Sequence, residues 1–322
     1  MSLIRTLFLG TPDIARYCLE SLLEDEHFSV VGVITQPDRP AGRKMKLTPS
    51  PVKELALKKG LEVHSFDSVN TPEALAQVAS WRAEVAVVVA FGQIVSQKFL
   101  DLFPHKVVNV HASLLPRWRG AAPIQRALMA GDKETGVCLQ VMVKELDAGD
   151  VLGSRTLVIK EDWDALELHE QMKPLAADLL KVELMDYLRG NLVAVPQNPT
   201  QITYAHKLSK SESAIDWTLP ARQIFNRMRG LALGPGVHCQ RGDKPLKILR
   251  AQVEVKDGNQ SRGSAAFPQQ PGQVLKVDKD SFVVACGEQA LRVFEVQPPS
   301  RPRMAVGEYL KGYPLAEGEV LQ

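Results

Sequence analysis

The chain has 322 residues and a formal net charge of +2, with 45% hydrophobic and 24% charged residues. This length is enough for two domains with separate buried cores, and the composition is that of a globular protein. No apolar run approaches the roughly 20 residues that a bilayer crossing needs, and the N-terminus lacks the pattern of a secretory signal. We therefore expect a cytoplasmic protein that does not bind a membrane.

The first half of the chain alternates short apolar runs with helix-like segments. The runs predicted as strands are 4–9, 28–34, 85–90 and 107–111. One predicted helix has Thr11 as its N-cap and Pro12 as its first helical residue. The other segments predicted as helices are 51–59, 72–80 and about 165–189. This alternation predicts a doubly wound, mostly parallel α/β sheet, whose ligands bind beyond the carboxyl ends of the strands.

The second half shows a different pattern. Pro196 and Pro199 resist both helix and sheet, which predicts a linker at 190–205 between a first domain at 1–189 and a second at 206–322. The second domain has one helix-like segment, at about 221–229, followed by short β-type runs at 247–255, 272–277, 281–286 and 290–296. Such runs are typical of a small β-barrel. It contains 17 Lys and Arg residues against 12 Asp and Glu residues. This surplus indicates either a surface for a polyanion or an ordinary solvated face.

Two polar residues interrupt the apolar strand at 107–111. Asn109 and His111 are two positions apart, which puts both side chains on one face of the strand. The loop 112–120 follows at the carboxyl end of the predicted sheet, where ligands bind. The alternative is a buried histidine with satisfied hydrogen bonds beside a turn-forming asparagine. The position and the pairing favour a functional site.

Asp147 is the third candidate, in a turn-forming stretch after the strand-like segment 137–143. Alone, a turn aspartate usually caps its own backbone. Together, Asn109, His111 and Asp147 supply a donor for an oxyanion, a group that titrates near neutral pH, and a carboxylate to orient it. This combination suits acyl-type transfer.

Several other chemistries lack their sequence signatures. No G-x-S-x-G nucleophile elbow is present, so we expect direct transfer without a covalent enzyme intermediate. The chain also lacks G-x-G-x-x-G and G-x-x-x-x-G-K-[ST], which removes the main support for nicotinamide or nucleoside-triphosphate binding. The four cysteines are scattered and have no neighbouring histidine, so we expect no metal site.

The long connection 35–53 after the second predicted strand is rich in basic residues. They are Arg39, Arg43, Lys44, Lys46 and Lys53, against Asp38 alone. Connections longer than about 12 to 15 residues are usually functional or disordered. Basic side chains on such an arm predict contacts with nucleic-acid phosphates, and a merely solvated basic loop is the alternative.

Motifs along the whole chain resemble the methionyl-tRNA formyltransferase family. Asn-x-His-x-Ser-Leu-Leu-Pro at 109–116, with Asp-Ala-Gly at 147–149, is similar to the pattern of folate-dependent formyltransferases generally. Thr-Gln-Pro-Asp-Arg-Pro-Ala-Gly-Arg at 35–43, Tyr-Ala-x-Lys at 204–207 and Ile-Asp-Trp at 215–217 are similar to the branch that acts on tRNA.

The resemblance implies transfer of a formyl group from 10-formyltetrahydrofolate to the amino group of methionine on initiator methionyl-tRNA. It also implies a Rossmann-like domain followed by an OB-like β-barrel, and we expect a monomer without a metal ion. The catalytic residues it implies are Asn109, His111 and Asp147. The residues expected to contact folate are Ser113, Leu114, Leu115 and Pro116. The residues expected to contact tRNA are Arg43, Lys44, Lys46, Lys207 and Lys210.

Three other assignments are weaker. A sugar-nucleotide N-formyltransferase would share the catalytic domain, but it would leave the basic insertion at 35–53 unexplained. A single-domain glycinamide ribonucleotide formyltransferase would leave the second domain unexplained. A noncatalytic tRNA-binding protein would leave Asn109 and His111 without a purpose on one strand face.

Overall fold

The computed structural model describes residues 3–41, 46–254 and 270–322. The chain divides into two compact units. The first comprises Met1–Pro123, Lys133–Ile159 and Glu167–His206, and the second comprises Ile124–Asp132, Lys160–Leu166 and Lys207–Gln322. In the described ranges, no helix combines the length and the apolar character that crossing a membrane requires.

The first unit contains the strands β1 (Ile4–Gly10), β2 (Phe28–Ile34), β3 (Arg39–Ala41), β4 (Lys46–Thr48), β5 (Val63–His64), β6 (Val85–Val89), β7 (Val107–His111), β8 (Arg119–Gly120), β9 (Glu134–Val141), β10 (Val151–Val158) and β11 (Tyr204–Ala205). The helices found in the described residues are α1 (Asp13–Leu23), α2 (Pro51–Lys58), α3 (Pro72–Ser80), α4 (Gln97–Leu100), α5 (Pro123–Ala130), α6 (Ala165–Leu188), α7 (Ala221–Leu231) and α8 (Val306–Gly312).

Seven strands of the first unit form one sheet, in the order β10-β9-β7-β6-β1-β2-β5. The five strands from β7 to β5 run parallel, and β9 is antiparallel to both β7 and β10. The central β6 is buried along its whole length, as expected for a parallel strand covered on both faces. The predicted doubly wound, mostly parallel sheet is confirmed.

Helix starts in the first unit follow the usual capping chemistry, with one exception. Ser50 and Thr71 accept hydrogen bonds from backbone N–H groups of the first turns of α2 and α3, each with proline at the first helical position. The prediction that Thr11 caps α1 is wrong. Helix α1 starts one residue later, behind Pro12, and Thr11 Oγ1 instead donates to the Phe91 carbonyl at 3.3 Å.

The basic connection at 35–53 contains a short antiparallel hairpin, β3 and β4. Its base is closed by a hydrogen bond of 2.7 Å between Thr35 Oγ1 and Ser50 Oγ. Lys53 Nζ contacts the Asp38 carboxylate at 2.8 Å, so one of the predicted basic side chains is neutralised within the connection. Lys46 is exposed. Arg43 and Lys44 lie outside the described residues.

The second unit contains the strands β12 (Val237–Arg241), β13 (Lys244–Val253), β14 (Val274–Val277), β15 (Phe282–Ala285), β16 (Ala290–Gln297) and β17 (Met304–Ala305). They form one antiparallel sheet in the order β12-β13-β16-β15-β14, with β17 added to β16. Its inner face and α7 bury an apolar core that includes Trp217, Phe225 and Phe282.

The C-terminal residues join the two edges of this sheet. Gln240 and Gln322 exchange two backbone hydrogen bonds at the β12 edge, of 2.5 and 2.8 Å. At the β14 edge, Val274 N donates to the Glu319 carbonyl at 2.8 Å. The chain end thus closes the sheet, and the predicted small β-barrel is confirmed.

Helix α5 packs within the second unit although it lies early in the chain. A Cβ atom on Gly230 of α7 would approach Met129 Cγ to 2.5 Å, so glycine permits this close packing. Arg229 is buried and donates to the carbonyls of Glu161 and Trp163 at 3.2 and 3.1 Å. These contacts place 124–132 and 160–166 with the barrel.

Candidate active site

Strand β7 presents two polar side chains at its carboxyl end. Asn109 and His111 are only 8% and 6% exposed, and the alternation of the strand puts both on one face. His111 Nε2 lies 2.9 Å from the carbonyl oxygen of Trp118. Because a carbonyl only accepts, the hydrogen of this bond is on Nε2. In the neutral ring, Nδ1 is therefore the free acceptor.

The free Nδ1 faces the third predicted residue. His111 Nδ1 lies 3.6 Å from Asp147 Oδ1, and the Asp147 side chain is 12% exposed. A proton that arrives on Nδ1 would thus be shared with a carboxylate. The structure brings Asn109, His111 and Asp147 together at one edge of the sheet.

The Asp147 carboxylate is held by neutral donors. The backbone N–H of Gly120 donates to Oδ2 at 2.8 Å, and Gln140 Nε2 donates to Oδ1 at 3.0 Å. Asp147 has a φ of 49°, in the left-handed region that costs most residues energy. Its neighbours therefore fix both its backbone and its carboxylate.

Gln140 is a site residue that the sequence analysis missed. It is 1% exposed and lies opposite Asn109 in the β7–β9 register. Its Nε2 must face the Asp147 carboxylate, so Oε1 points elsewhere, and in the described part of the chain Oε1 has no hydrogen-bond partner. A buried polar residue on an apolar strand beside the Asp-x-Gly turn was the available signal.

The four residues predicted to bind folate form the loop directly after β7. Ser113 is fully buried, and its hydroxyl donates to the Arg117 carbonyl at 2.6 Å. Leu115 N donates to Cys138 Sγ at 3.3 Å. Leu114 and Pro116 are half-buried. Ser113 thus shapes the loop, while the three other residues supply apolar surface beside the polar cluster of Asn109, His111 and Asp147. Contact of all four residues with folate stays a prediction.

Cys138 lies opposite His111 in the sheet register but is unsuited to nucleophilic attack. Burial raises the pKa of its thiol to about 11, and the thiolate is the reactive form. In the described residues, no group of three or more His, Cys, Asp or Glu side chains is arranged to hold a metal ion.

A second group of polar contacts ties together the loops after β1, β2 and β6. Gln36 Nε2 and Thr11 Oγ1 both donate to the Phe91 carbonyl, at 3.1 and 3.3 Å. Gln36 N in turn donates to Thr11 Oγ1 at 3.3 Å. These loops lie at the carboxyl ends of the parallel strands, and their hydrogen bonds stabilise that edge of the sheet.

The predicted tRNA-binding lysines lie in both units. Lys46 belongs to the first unit, whereas Lys207 and Lys210 are exposed residues of the second. The segment around the latter two is anchored by Arg126, whose guanidinium pairs with the Glu212 carboxylate. This contact lowers the pKa of Glu212 to about 2.

Both parts of the chain match family models of one class of enzyme. Residues 4–182 match the family described as formyl transferase, and residues 207–314 match the formyl transferase C-terminal domain. The chain therefore belongs to the formyl transferase family.

Similar proteins define the branch. A methionyl-tRNA formyltransferase from Bdellovibrio bacteriovorus is 53% identical over 322 residues, covering 100% of this chain and 99% of that protein. One from Caldanaerobacter subterraneus is 42% identical, covering 99% and 100%. By these relatives the chain falls in the methionyl-tRNA formyltransferase branch of the family.

Among solved structures, an N-formyltransferase from Helicobacter canadensis in complex with folinic acid and dTDP-3-aminofucose has a similar fold. The TM-score is 0.65 at 16% identity, and the match covers 92% of this chain and 100% of that one. At this identity the likeness concerns the fold alone.

Proposed function

We propose that this protein transfers the formyl group of 10-formyltetrahydrofolate to the amino group of methionine on initiator methionyl-tRNA, without a covalent enzyme intermediate. The observation that carries the proposal is the cluster of Asn109, His111, Asp147 and Gln140 at the carboxyl edge of the sheet. The membership of the chain in the methionyl-tRNA formyltransferase branch supports the same substrates.

The polar groups of the cluster suit a formyl group and an attacking amine. No hydrogen bond of the Asn109 side chain is found in the described residues, so its amide N–H is available to a developing oxyanion. Gln140 Oε1 is a buried acceptor of the kind that an amine N–H satisfies. The loop 113–116 offers the apolar surface that a folate ring system needs.

In the proposed mechanism, the unprotonated amine attacks the formyl carbon directly. Asn109 donates to the developing oxyanion, and His111 stabilises the same charge when Nδ1 carries a proton. Asp147 orients His111 and helps to remove the amine proton, because its Oδ1 faces His111 Nδ1 at 3.6 Å. As the tetrahedral intermediate collapses, the bond between the formyl carbon and the folate nitrogen breaks, and that nitrogen takes up the proton removed from the amine, so that tetrahydrofolate leaves.

We assign tRNA binding to two parts of the chain. Residues 1–189 form the catalytic domain, 190–205 the linker, and 206–322 the domain that binds the tRNA body. Exposed Lys46 in the insertion supports a phosphate-binding role for the insertion, together with Arg43 and Lys44. Lys207 and Lys210 contribute the corresponding charge from the second unit. The protein acts as a cytoplasmic monomer.

A competition between acceptors tests the proposal. Purified protein is given 10-formyltetrahydrofolate and either methionyl initiator tRNA or an amino sugar nucleotide, and formylated product is measured by mass spectrometry. We expect product from the tRNA alone. Formylation of the sugar only would identify a sugar-nucleotide enzyme, and tRNA binding without formylation of either acceptor would indicate a noncatalytic tRNA-binding protein.

A further inference from the structure

The segment predicted as a linker passes beside the catalytic turn. Val151 and Val195 exchange two backbone hydrogen bonds, each of 2.9 Å, as a single antiparallel bridge. Val151 is the first residue of β10 and directly follows the Asp-Ala-Gly-Asp turn. Two residues after Val195, Gln197 therefore lies next to Asp147.

Gln197 makes four hydrogen bonds there with its one amide group. Its Nε2 donates to the carbonyl of Asp147 at 2.8 Å and to the carbonyl of Gly149 at 2.7 Å. Its Oε1 accepts from Nε and Nη2 of Arg119, at 3.0 and 2.8 Å. Both hydrogens and the oxygen of the amide are thus used, and only one orientation of the group satisfies all four partners.

Arg119 adds a second constraint. It is 8% exposed, so its guanidinium has little access to water and depends on Gln197 Oε1 as an acceptor. The neighbouring Gly120 donates its N–H to Asp147 Oδ2 at 2.8 Å. Gln197 therefore contacts the backbone of Asp147 directly, and through Arg119 it supports the strand that holds the Asp147 carboxylate.

The turn needs such support. Asp147 has a positive φ of 49°, a conformation that persists in non-glycine residues when surrounding contacts impose it. Gly149 is packed so closely that a Cβ atom there would lie 1.6 Å from the carbonyl oxygen of Val141. The side-chain amide of Gln197 donates to the carbonyls of Asp147 and Gly149, the residues on either side of Ala148, and so bridges this strained turn.

We propose that Gln197, fixed by Arg119, is a positioning residue that sets the direction of the Asp147 carboxylate relative to His111. The segment 190–205 is then part of the catalytic apparatus as well as a connection. This inference rests on the proposed formyl transfer. It is distinct from substrate binding, because Gln197 acts on the protein backbone and spends all its hydrogen-bonding capacity there.

Gln197→Ala tests the inference in the full-length protein. We expect kcat for formylation to fall roughly 10²-fold, since a small displacement of a catalytic group has this effect. The KM values for folate and tRNA should stay within about 3-fold of wild type. Gln201→Ala, an exposed glutamine four residues later, is the matched control and should leave kcat unchanged. A normal kcat for Gln197→Ala, or a loss confined to KM, would overturn the proposal.

Gln197→Glu provides a variant of nearly the same shape. Its carboxylate still accepts from Arg119, but it has no N–H for the two carbonyl oxygens and repels them, so kcat should fall at least as far as in Gln197→Ala. This variant keeps the test available if the alanine variant does not fold. Full activity of Gln197→Glu would contradict the proposed role of the two carbonyl bonds.

A double-mutant cycle separates positioning from a general structural effect. If Gln197 acts through Asp147, adding Gln197→Ala to Asp147→Ala should lower kcat hardly further, whereas independent effects would multiply. Inactive wild-type protein would refute the proposed function instead. The effect of Gln197 on the turn would then be measured by amide hydrogen exchange at 147–150. Gln197→Ala should accelerate this exchange, and Gln201→Ala should not.

Discussion

Asp147 and Glu212 are two largely buried carboxylates with different kinds of hydrogen-bond partner. Their side chains are 12% and 20% exposed. Asp147 accepts hydrogen bonds from neutral donors, an amide and a backbone N–H, and faces His111. Glu212 contacts the guanidinium of Arg126, which holds its pKa at about 2.

The difference shows how surroundings separate a chemical role from a structural one. Neutral donors fix the direction of a carboxylate without cancelling its charge, so the charge remains available to a proton on His111. A guanidinium forms a lasting ion pair with the carboxylate, and this pair holds the segments of Arg126 and Glu212 together. Asp147 thus fits proton handling, and Glu212 fits the anchoring of the segment that carries Lys207 and Lys210.

The largest effects are expected at the polar face of β7, for which we propose a catalytic role. His111→Ala should lower turnover about 10²- to 10⁴-fold, and Asn109→Ala about 10²- to 10³-fold, because each variant loses a group that stabilises the developing oxyanion. Steady-state formylation kinetics measure the turnover of both variants. His105→Ala, at a half-exposed histidine just before the same strand, is the control. A folded variant with nearly normal turnover would remove that residue from the mechanism.

The fold was largely predictable because its signals are local. Strand β7 and helix α3 match the predicted bounds, since each is an apolar run or amphipathic segment between clear breakers. Strand β12 was missed because Val237 and Cys239 alternate with polar residues over only five positions. The end of the barrel sheet was also missed, because its closure uses backbone hydrogen bonds of Gln322 that no side-chain pattern reveals.

In the site too, residues with a local sequence signal were predicted and residues that depend on long-range contacts were missed. Asn109 and His111 were recognisable from their spacing on one strand. Gln140 and Gln197 were not, because their roles depend on long-range contacts with the Asp147 turn, 7 and 50 positions away along the chain. Thr11 was assigned a helix cap from local sequence, but tertiary contact with Phe91 uses its hydroxyl instead.

Charge reversal in the second unit tests whether the segment that Glu212 anchors, which carries Lys207 and Lys210, binds tRNA. Lys207→Glu and Lys210→Glu should each lower tRNA affinity roughly 10-fold and reduce the salt dependence of binding, because phosphate contacts release counterions. Binding titrations at several salt concentrations measure both quantities. Lys279→Glu, an exposed lysine of the same unit, is the control.

An unchanged affinity and salt slope would mean that the second unit only stabilises the protein. Deletion of 206–322 is a poorer test, because 124–132 and 160–166 belong to the same unit. Deletion would uncover apolar residues such as Met129 that pack on its core.

A smaller effect is expected from the basic insertion. Arg43→Ala and Lys46→Ala should each weaken tRNA use severalfold, on the order of one phosphate contact, and leave folate affinity measured without tRNA unchanged. Lys59→Ala, at an exposed lysine just after α2, is the control. Equal losses for both ligands would mean that the insertion shapes the active site and does not bind tRNA.

The smallest effect is expected at Glu212, on stability rather than on catalysis. The pKa of Glu212 is lowered from 4.5 to about 2, chiefly by the hydrogen bond from Arg126. A lowered pKa in the folded state stabilises the protein above pH 4.5, and this contribution is lost as the pH falls towards 2. Glu212→Gln should therefore cost about 1 to 2 kcal/mol at pH 7, after allowance for partial exposure to solvent.

The pH dependence of this difference is the decisive observation. Thermal melts of wild type and Glu212→Gln should converge as the pH falls from 4.5 to about 2, because the wild-type carboxylate becomes protonated over that range. Glu288→Gln, at an exposed carboxylate of the same unit, should leave the melting temperature nearly unchanged at every pH. If the Glu212→Gln difference stayed constant with pH, the ion pair with Arg126 would not be its source. The hydrogen bond of 2.7 Å that Ser209 N donates to the carboxylate would not be the source either, because the oxygen of glutamine can accept the same bond.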